Sequence, residues 1–161
     1  IWLLKDPCHI AHIEEILNTY PKARFIFLHR NPRFSMPSIS NLAFNLRLGY
    51  SNHVDPILVG NQMLLYWQDA TEKLLNGREL IPKDQMIDLQ FNHLIDDPIK
   101  ITNQIFEKFS IKHDEAFERK LTTRIGNKKL KSKHSYSYEK FFRASGEVEN
   151  KFVNYISYFD L

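Results

Sequence analysis

The segment Arg24–Leu42 constrains the fold more strongly than any other part of the chain. Its apolar run Phe25–Leu28 is too short for a buried helix and is rich in aromatic and branched residues, so it predicts a core strand. The strand ends at Arg30, Pro32 follows in a turn, and apolar residues at helical spacing come next. Because ligands in α/β sheets bind where strands run into helices, this turn is a candidate site.

Arg30 and Ser38, eight positions apart, are the polar residues that this arrangement would offer to a ligand. A guanidinium presents a planar fork of donors that matches two oxygens of a phosphate or sulfate. Ser38 would add a hydroxyl, Ser35 or Ser40 could assist, and backbone N–H groups at the helix start would be free to donate. An alternative stays open, in which Arg30 forms a surface ion pair and the serines have no role.

The start of the chain supplies a second candidate, Lys5. The apolar residues 1–4 predict a strand, and the spacing of isoleucines over residues 8–19 predicts a helix. Strand, helix and strand within about thirty residues predict a βαβ unit, which places Lys5 on the same sheet edge as Arg30. An ammonium there could neutralise charge on a transferring group, although a solvated surface lysine is the simpler alternative.

The rest of the chain predicts further elements of an α/β fold: helices at 55–77, 97–109, 114–125 and 147–159, a strand at 86–91, and irregular structure at 126–138. Two of these helices begin at Asp-Pro pairs, in which Asp caps the helix and Pro takes its first position. No internal repeat or linker divides the chain. Residues 1–161 are therefore interpreted as a single domain, a parallel sheet flanked by helices.

His9 and His12 lie near the start of the first predicted helix. Imidazole titrates near neutral pH, so either could act as a general base, although exposed helical histidines are common. No third partner completes a metal-binding spacing, and no metal site is expected. The sequence contains no GxxxxGKS/T or GxGxxG loop, so it holds no phosphate cradle of its own.

A basic run between residues 126 and 138 includes Lys133 and His134. A solvated cluster of charges is the default interpretation. The serines and tyrosines among the lysines favour a second one, a loop that folds back over a phosphate. Nucleic-acid binding is a weaker alternative, because the net charge is only +3 and no nucleic-acid-binding motif is present.

The composition limits the class of protein. No apolar run is long enough to span a membrane. The single Cys8 leaves no internal disulfide, which is typical of a cytoplasmic protein, although a domain cut from a secretory protein would look the same. A chain that starts within an apolar strand is expected to be the C-terminal part of something longer. Any site that it carries is then expected to be incomplete.

Four segments form a series: Trp2–His9 (WLLKDPCH), Tyr20–Arg24 (YPKAR), His29–Pro32 (HRNP) with Ser38 eight residues after its arginine, and Phe91–Pro98 (FNHLIDDP). In order and spacing they resemble the sulfotransferase family, and most closely the broad branch that includes the tyrosylprotein enzymes. The stretch from His134 to the last helix is similar to the family's C-terminal ending. The resemblance covers nearly the whole chain.

The resemblance implies transfer of a sulfuryl group from 3'-phosphoadenosine 5'-phosphosulfate to a hydroxyl or amine, on a small-molecule or protein acceptor and without a metal. It also implies a P-loop nucleotide-hydrolase-like fold. Arg30 and Ser38 match family residues that bind the donor's 3'-phosphate, and Lys5 matches one that stabilises the transferring group. Three further candidates complete the predicted site. His9 is the candidate catalytic base, and Lys133 and His134 are candidate contacts to the sulfuryl donor.

Two departures from the family limit what the resemblance implies. The N-terminal strand and the phosphate loop for the 5'-phosphosulfate are missing from the sequence, so an inactive fragment is expected. Phe91 replaces the family's tyrosine, and Asn92-His93 replaces its Glu-Asp pair. The alternative functions are a non-catalytic nucleotide- or anion-binding remnant of the same fold and, more remotely, a phosphotransferase similar to nucleotide kinases.

Overall fold

The computed structural model describes residues 2–126 and 137–161. Its helices and strands are, in chain order, α1 (Ile13–Thr19), β1 (Phe25–His29), α2 (Pro32–Leu48), α3 (Pro56–Gly77), β2 (Met86–Gln90), α4 (Phe91–Asp96), α5 (Pro98–Lys108), α6 (Glu115–Gly126), α7 (Glu147–Lys151) and α8 (Val153–Phe159). Within the described ranges, no helix combines the length and the apolar character that a membrane crossing needs.

The chain divides into two compact units. The first unit comprises Ile1–Pro21, Asn31–Leu80 and Ser135–Leu161, and the second comprises Lys22–Arg30 and Ile81–His134. The first unit therefore contains α1, α2, α3, α7 and α8. The second contains both strands together with α4, α5 and α6.

The second unit is built on β1 and β2, which pair in parallel. Their register runs from Phe25 opposite Met86 to His29 opposite Gln90. Leu89 of β2 is buried, and α4 and α5 pack against the same strand. Both strands predicted in this part of the chain are confirmed, and so is the α/β class.

Both predicted Asp-Pro helix starts are also confirmed. Asp55 Oδ1 accepts hydrogen bonds from the N–H groups of Ile57 (2.8 Å) and Leu58 (3.4 Å) at the start of α3. Asp97 Oδ1 accepts one from the N–H of Lys100 (2.9 Å) at the start of α5. Each cap stabilises its helix by about 1 kcal/mol, because it satisfies N–H groups that have no partner within the helix.

The core of the first unit lies where α2, α3 and the segment before α7 meet. Phe141 is fully buried, and its ring centroid lies 6.1 Å from that of Phe44 on α2. Gly60 of α3 faces the Phe141 backbone, and a Cβ atom at Gly60 would come within 2.3 Å of the Phe141 carbonyl oxygen. The absence of a side chain at Gly60 therefore allows the chain to approach α3 this closely.

The strand predicted at residues 1–4 is wrong. Residues 2–4 form no regular secondary structure, and Trp2 is 91% exposed. A strand needs a neighbour to pair its N–H and C=O groups, and within the described residues β1 pairs only with β2. The predicted βαβ unit is therefore not formed. The apolar composition of residues 1–4 is typical of a strand, but it does not show whether another strand is present to pair with them.

Two helices that were predicted as continuous are each divided. Residues 8–19 form a 3₁₀ turn (Pro7–Ala11) followed by α1, and the two are separated at His12, where φ is −133°. The last predicted helix forms α7 and α8, which are separated at the buried Phe152 with φ −112° and ψ 22°. The spacing of apolar residues predicts the buried face of a helix but not a one-residue break in its backbone.

Gly60→Ala is expected to lower the free energy of unfolding by about 1–3 kcal/mol, because the new methyl group must displace the Phe141 backbone. Urea unfolding followed by circular dichroism measures this change. Asn61→Ala, at an exposed position of the same helix, is the control and is expected to change stability by less than about 0.5 kcal/mol. Equal stability of the two variants would contradict the close approach of Gly60 and Phe141.

Candidate functional site

Arg30 lies at the C-terminal end of β1, in the second unit. Because His29 and Gln90 are the last paired residues of the parallel strands, Arg30 and Phe91 leave the sheet side by side. The guanidinium carbon of Arg30 lies 4.6 Å from the centroid of the Phe91 ring. We call these two stacked residues the strand-end pair.

The stacking determines what Arg30 can bind. A guanidinium that lies over an aromatic face keeps its N–H groups available, since they point outward in its own plane. The contact contributes about 0.5–1 kcal/mol at an exposed site and limits the freedom of the arginine side chain. Arg30 is exposed, so the strand-end pair offers a preoriented cation where parallel strands end, the place at which α/β proteins bind ligands.

Sequence reasoning gave Phe91 no role and treated it as a departure from the family's tyrosine. The structure shows that Arg30 uses an aromatic face, which phenylalanine supplies as well as tyrosine does. The register of β1 with β2 is the signal that would have revealed the contact. A single sequence does not contain that register.

A buried polar pair lies one residue before Arg30. His29 is 3% exposed, and its Nε2–H donates to Asp88 Oδ1 over 2.8 Å. Asp88 is opposite Phe27 in the register, so His29 reaches it diagonally across the two strands. The hydrogen bond fixes the end of β1, from which the side chain of Arg30 extends.

The backbone N–H groups at the start of α2, in the first unit, are not free to donate to a ligand as predicted. Asn31 Oδ1 accepts from the N–H of Arg33 at 2.9 Å. The Asn31 carbonyl accepts from the N–H groups of Phe34 (3.0 Å) and Ser35 (3.3 Å), and Pro32 has no N–H. The backbone donors predicted to be free are therefore occupied, because Asn31 is itself the cap. An anion at this turn must be bound by side chains.

The three serines of α2 differ in how accessible their hydroxyl groups are to a ligand. Ser40 is fully buried, so it cannot contact a ligand that arrives from solvent. Ser35 and Ser38 are half-buried, and the Ser38 hydroxyl makes no hydrogen bond within the described part of the chain. The same holds for the Ser35 hydroxyl, so Ser35 and Ser38 are the serines of α2 with a hydroxyl available for a ligand.

Lys5 and His9 lie in the first unit at the 3₁₀ turn Pro7–Ala11, and both are exposed. Asp6 Oδ1 accepts the N–H of Cys8 at 2.7 Å. That hydrogen bond, with smaller contributions from the charges of His9 and Lys5, lowers the pKa of Asp6. Lys5 and His9 thus lie four residues apart in one short segment, and we call residues 5–9 the Lys5–His9 turn.

The Lys5–His9 turn packs against α3. There the neighbouring Cys8 side chain raises the pKa of Tyr66, and desolvation adds to the effect. The carboxylates of Asp6 and Asp69 raise the pKa of Tyr66 further. Tyr66 therefore keeps its proton and offers a neutral hydroxyl beside the turn. Sequence reasoning missed it, because spacing along α3 does not show which of its residues meets Cys8.

The predicted site residues belong to different units. The first unit holds Lys5, His9 and Ser38, whereas Arg30 belongs to the second. Lys5 and Arg30 can share one sheet edge only if residues 1–4 form a strand, and residues 2–4 do not. The structure describes the Lys5–His9 turn within the first unit and the strand-end pair within the second.

The basic run that includes Lys133 and His134 lies outside the described residues, so its role stays a prediction. Among the residues that the structure does describe, no three His, Cys, Asp or Glu side chains form a group that could hold a metal ion.

Comparison with known families identifies the protein family in which these features occur. Residues 1–115, well over half of the chain, match the sulfotransferase family Sulfotransfer_3. The chain belongs to the sulfotransferase family. The matched stretch includes the Lys5–His9 turn, the strand-end pair and Ser38, so the resemblance predicted from the sequence motifs is confirmed.

Two curated relatives come from mycobacteria. The chain is 28% identical over 119 residues to the omega-hydroxy-beta-dihydromenaquinone-9 sulfotransferase Stf3 of Mycobacterium bovis, and to the same extent to that of Mycobacterium tuberculosis. These alignments cover 71% of this chain and 30% of each relative. The match thus spans less than a third of the length of these relatives.

Solved sulfotransferase structures have the same fold. The crystal structure of STF9 from Mycobacterium avium superposes with a TM-score of 0.83 at 22% identity, over 99% of this chain and 42% of that chain. STF1 from Mycobacterium tuberculosis H37Rv superposes with a TM-score of 0.81 at 24% identity, over 95% and 39%. The predicted P-loop-like sulfotransferase fold, with its parallel sheet and flanking helices, is confirmed.

Cys8→Ala is expected to lower the pKa of Tyr66 toward its ordinary value, because it removes the neighbouring group that opposes ionisation of the phenol. A pH titration of tyrosine Cζ resonances by NMR measures the change, with the exposed Tyr50 as internal reference. If the Tyr66 resonance titrated identically in both proteins, the Lys5–His9 turn would not pack on α3 as described.

Proposed function

We propose that this chain carries the part of a sulfotransferase donor site that binds the 3'-phosphate of 3'-phosphoadenosine 5'-phosphosulfate. The strand-end pair carries this proposal: Arg30 is stacked on Phe91 where two parallel strands end, in a member of this family. A phosphate dianion matches the two parallel N–H donors of a guanidinium. Ser38 supports the proposal with a hydroxyl that no described residue engages.

In this proposal, Arg30 contributes more to the binding of the 3'-phosphate than the sequence alone suggested. Asn31 occupies the N–H groups at the start of α2, so the phosphate must be bound through side chains. A hydrogen bond to a charged group contributes about 1.5–3 kcal/mol. Loss of Arg30 should therefore weaken binding of the 3'-phosphate by more than about tenfold.

For the transfer step, we assign the chemistry to the Lys5–His9 turn. The acceptor oxygen attacks sulfur, the S–O bond to the donor's 5'-phosphate breaks, and the products are a sulfate ester and adenosine 3',5'-bisphosphate. His9 accepts the proton of the acceptor hydroxyl, and Lys5 neutralises the charge that develops on the departing phosphate oxygen. The exposure of both side chains on one turn supports these roles. Lys133 and His134 are proposed as further contacts to the donor.

We propose a hydroxyl compound as the acceptor. Both curated relatives are named for a hydroxylated menaquinone derivative. A hydroxyl is a weak nucleophile that needs a base, and His9 can supply one, whereas a neutral amine needs none before it attacks. An amine is therefore the alternative acceptor, and activity that does not depend on His9 would favour it.

We further propose that this chain alone binds the nucleotide but transfers no sulfuryl group. Its sequence holds no glycine-rich phosphate cradle for the 5'-phosphosulfate. The solved relatives are more than twice as long as the part that this chain matches. The same lack of a cradle favours the second candidate function, a remnant that binds the nucleotide without catalysis.

Adenosine 3',5'-bisphosphate is expected to bind this chain with a Kd of about 0.1–1 mM, and adenosine 5'-monophosphate about tenfold more weakly, because it lacks the 3'-phosphate. NMR titration measures affinities in this range. Arg30→Ala is expected to abolish the difference between the two nucleotides. Arg119→Ala, which removes an exposed arginine from α6 in the same unit, is the matched control and should preserve the difference.

Equal affinity for the two nucleotides in the unaltered chain would contradict the 3'-phosphate proposal. A preference that survives in Arg30→Ala would place the phosphate away from the strand-end pair. Sulfuryl transfer by this chain alone, measured with labelled donor, would contradict the proposal that it is inactive.

A further inference from the structure

The first turn of α2 is attached to the rest of its helix by one hydrogen bond fewer than usual. In an α-helix the carbonyl of Arg33 would accept from the N–H of residue 37, and that residue is Pro37, which has no N–H. A proline ring also crowds the carbonyl four residues before it. The orientation of this turn relative to Ser38 therefore depends on contacts from outside the helix.

Arg33 supplies such contacts. Its Nη1 lies 2.5 Å from Glu149 Oε1 on α7, a residue 116 positions away in the sequence. Its guanidinium carbon lies 5.9 Å from the centroid of the Tyr138 ring. One side chain of the first turn thus joins α2 to two residues near the C-terminal end of the chain.

The segment that receives Arg33 is itself held in place. The Tyr138 hydroxyl donates to the Ala144 carbonyl (3.1 Å) and accepts from the N–H of Val148 (3.3 Å). Glu147 Oε2 accepts from two backbone N–H groups of the same segment. Val148 is fully buried. Arg33 therefore binds a fixed support, so the contact can set the position of the turn.

Glu149 and Arg33 depend on each other electrostatically. The Glu149 side chain is 27% exposed, and its Oε2 is buried without a hydrogen-bond partner among the described residues. A carboxylate in such surroundings needs its cation, whereas the exposed pair of Asp69 and Lys73 on α3 contributes little. The Arg33 side chain is 52% exposed, so the pair contributes less than a fully buried one, but its more buried carboxylate joins the first turn of α2 to α7.

We propose that Arg33 is a positioning residue for the 3'-phosphate of the donor. It holds the first turn of α2 on Glu149 and Tyr138, and Ser38 directly follows the proline that weakens this turn. Arg33 needs no contact with the nucleotide, because its guanidinium is engaged by the carboxylate and the ring. This inference rests on the proposed function.

NMR titration of this chain with adenosine 3',5'-bisphosphate and adenosine 5'-monophosphate tests the role of Arg33. Arg33→Ala is expected to weaken binding of the bisphosphate about tenfold and that of the monophosphate less than about twofold, because only the 3'-phosphate depends on the turn. Arg33→Lys should recover part of the loss, since it keeps the charge but not the fork of donors. Arg119→Ala is the control and should change neither affinity.

A double variant keeps the test valid if the single change disturbs folding. Arg33→Ala leaves Glu149 without its cation, whereas Arg33→Ala/Glu149→Ala removes both charges together. The double variant is expected to show a cooperative thermal transition close to that of the unaltered chain. Its affinity for the bisphosphate should still be about tenfold lower, with the monophosphate unaffected.

Unchanged affinity for the bisphosphate in the folded double variant would overturn the inference. An equal loss for both nucleotides would also overturn it, since that pattern indicates a general structural role. If the unaltered chain does not distinguish the two nucleotides, the proposed function fails and the inference falls with it. If it does distinguish them and the Arg33 variants do so equally well, only the inference fails.

Discussion

The parallel pairing of β1 with β2 determines the surroundings of Arg30. A single register places Asp88 within reach of His29 and Phe91 beside Arg30. A shift of β2 by one residue would exchange the faces of every side chain on that strand and would separate both contacts. The buried hydrogen bond of His29 also opposes such a shift, because it would leave a buried polar group without a partner. The chemistry of the strand end therefore follows from backbone pairing.

In the proposed donor site, an anion at α2 is bound by side chains rather than by a backbone cradle. Asn31 caps the helix and occupies the N–H groups that a phosphate would otherwise use. Pro37 then weakens the link between the first turn and the rest of the helix, and Arg33 joins that turn to Glu149. Farther along α2, Phe44 packs on Phe141. In this account the helix is held at two places, and the available hydroxyl of Ser38 lies between them in sequence.

Local chemistry predicted much of the fold. The apolar run at Phe25–Leu28 and the caps at Asp55 and Asp97 are encoded within a few residues, and the structure has all of them. The strand at residues 1–4 was wrong because the apolar pattern does not show whether a partner strand is present. Helical spacing likewise could not show the break at Phe152.

The candidate site was predicted less completely than the fold, for a physical reason. Motif spacing selected Arg30 and Ser38. The contacts that surround these two residues, however, are made by residues from distant parts of the sequence. Phe91 meets Arg30 through strand register, and Glu149 meets Arg33 across 116 positions. Free N–H groups were expected at the start of α2 because the capping role of Asn31 was not considered.

We propose that the 3'-phosphate of the donor binds at the end of β1. The most direct measurement is a map of chemical-shift changes in this chain, labelled with ¹⁵N, when adenosine 3',5'-bisphosphate is added. We expect the largest changes at the Arg30 side-chain Nε–H and at the backbone amides of Arg30, Asn31 and Ser38. We also expect adenosine 5'-monophosphate to leave these signals nearly unchanged. Shifts of equal size with both nucleotides, or changes confined to α5 and α6, would contradict the account.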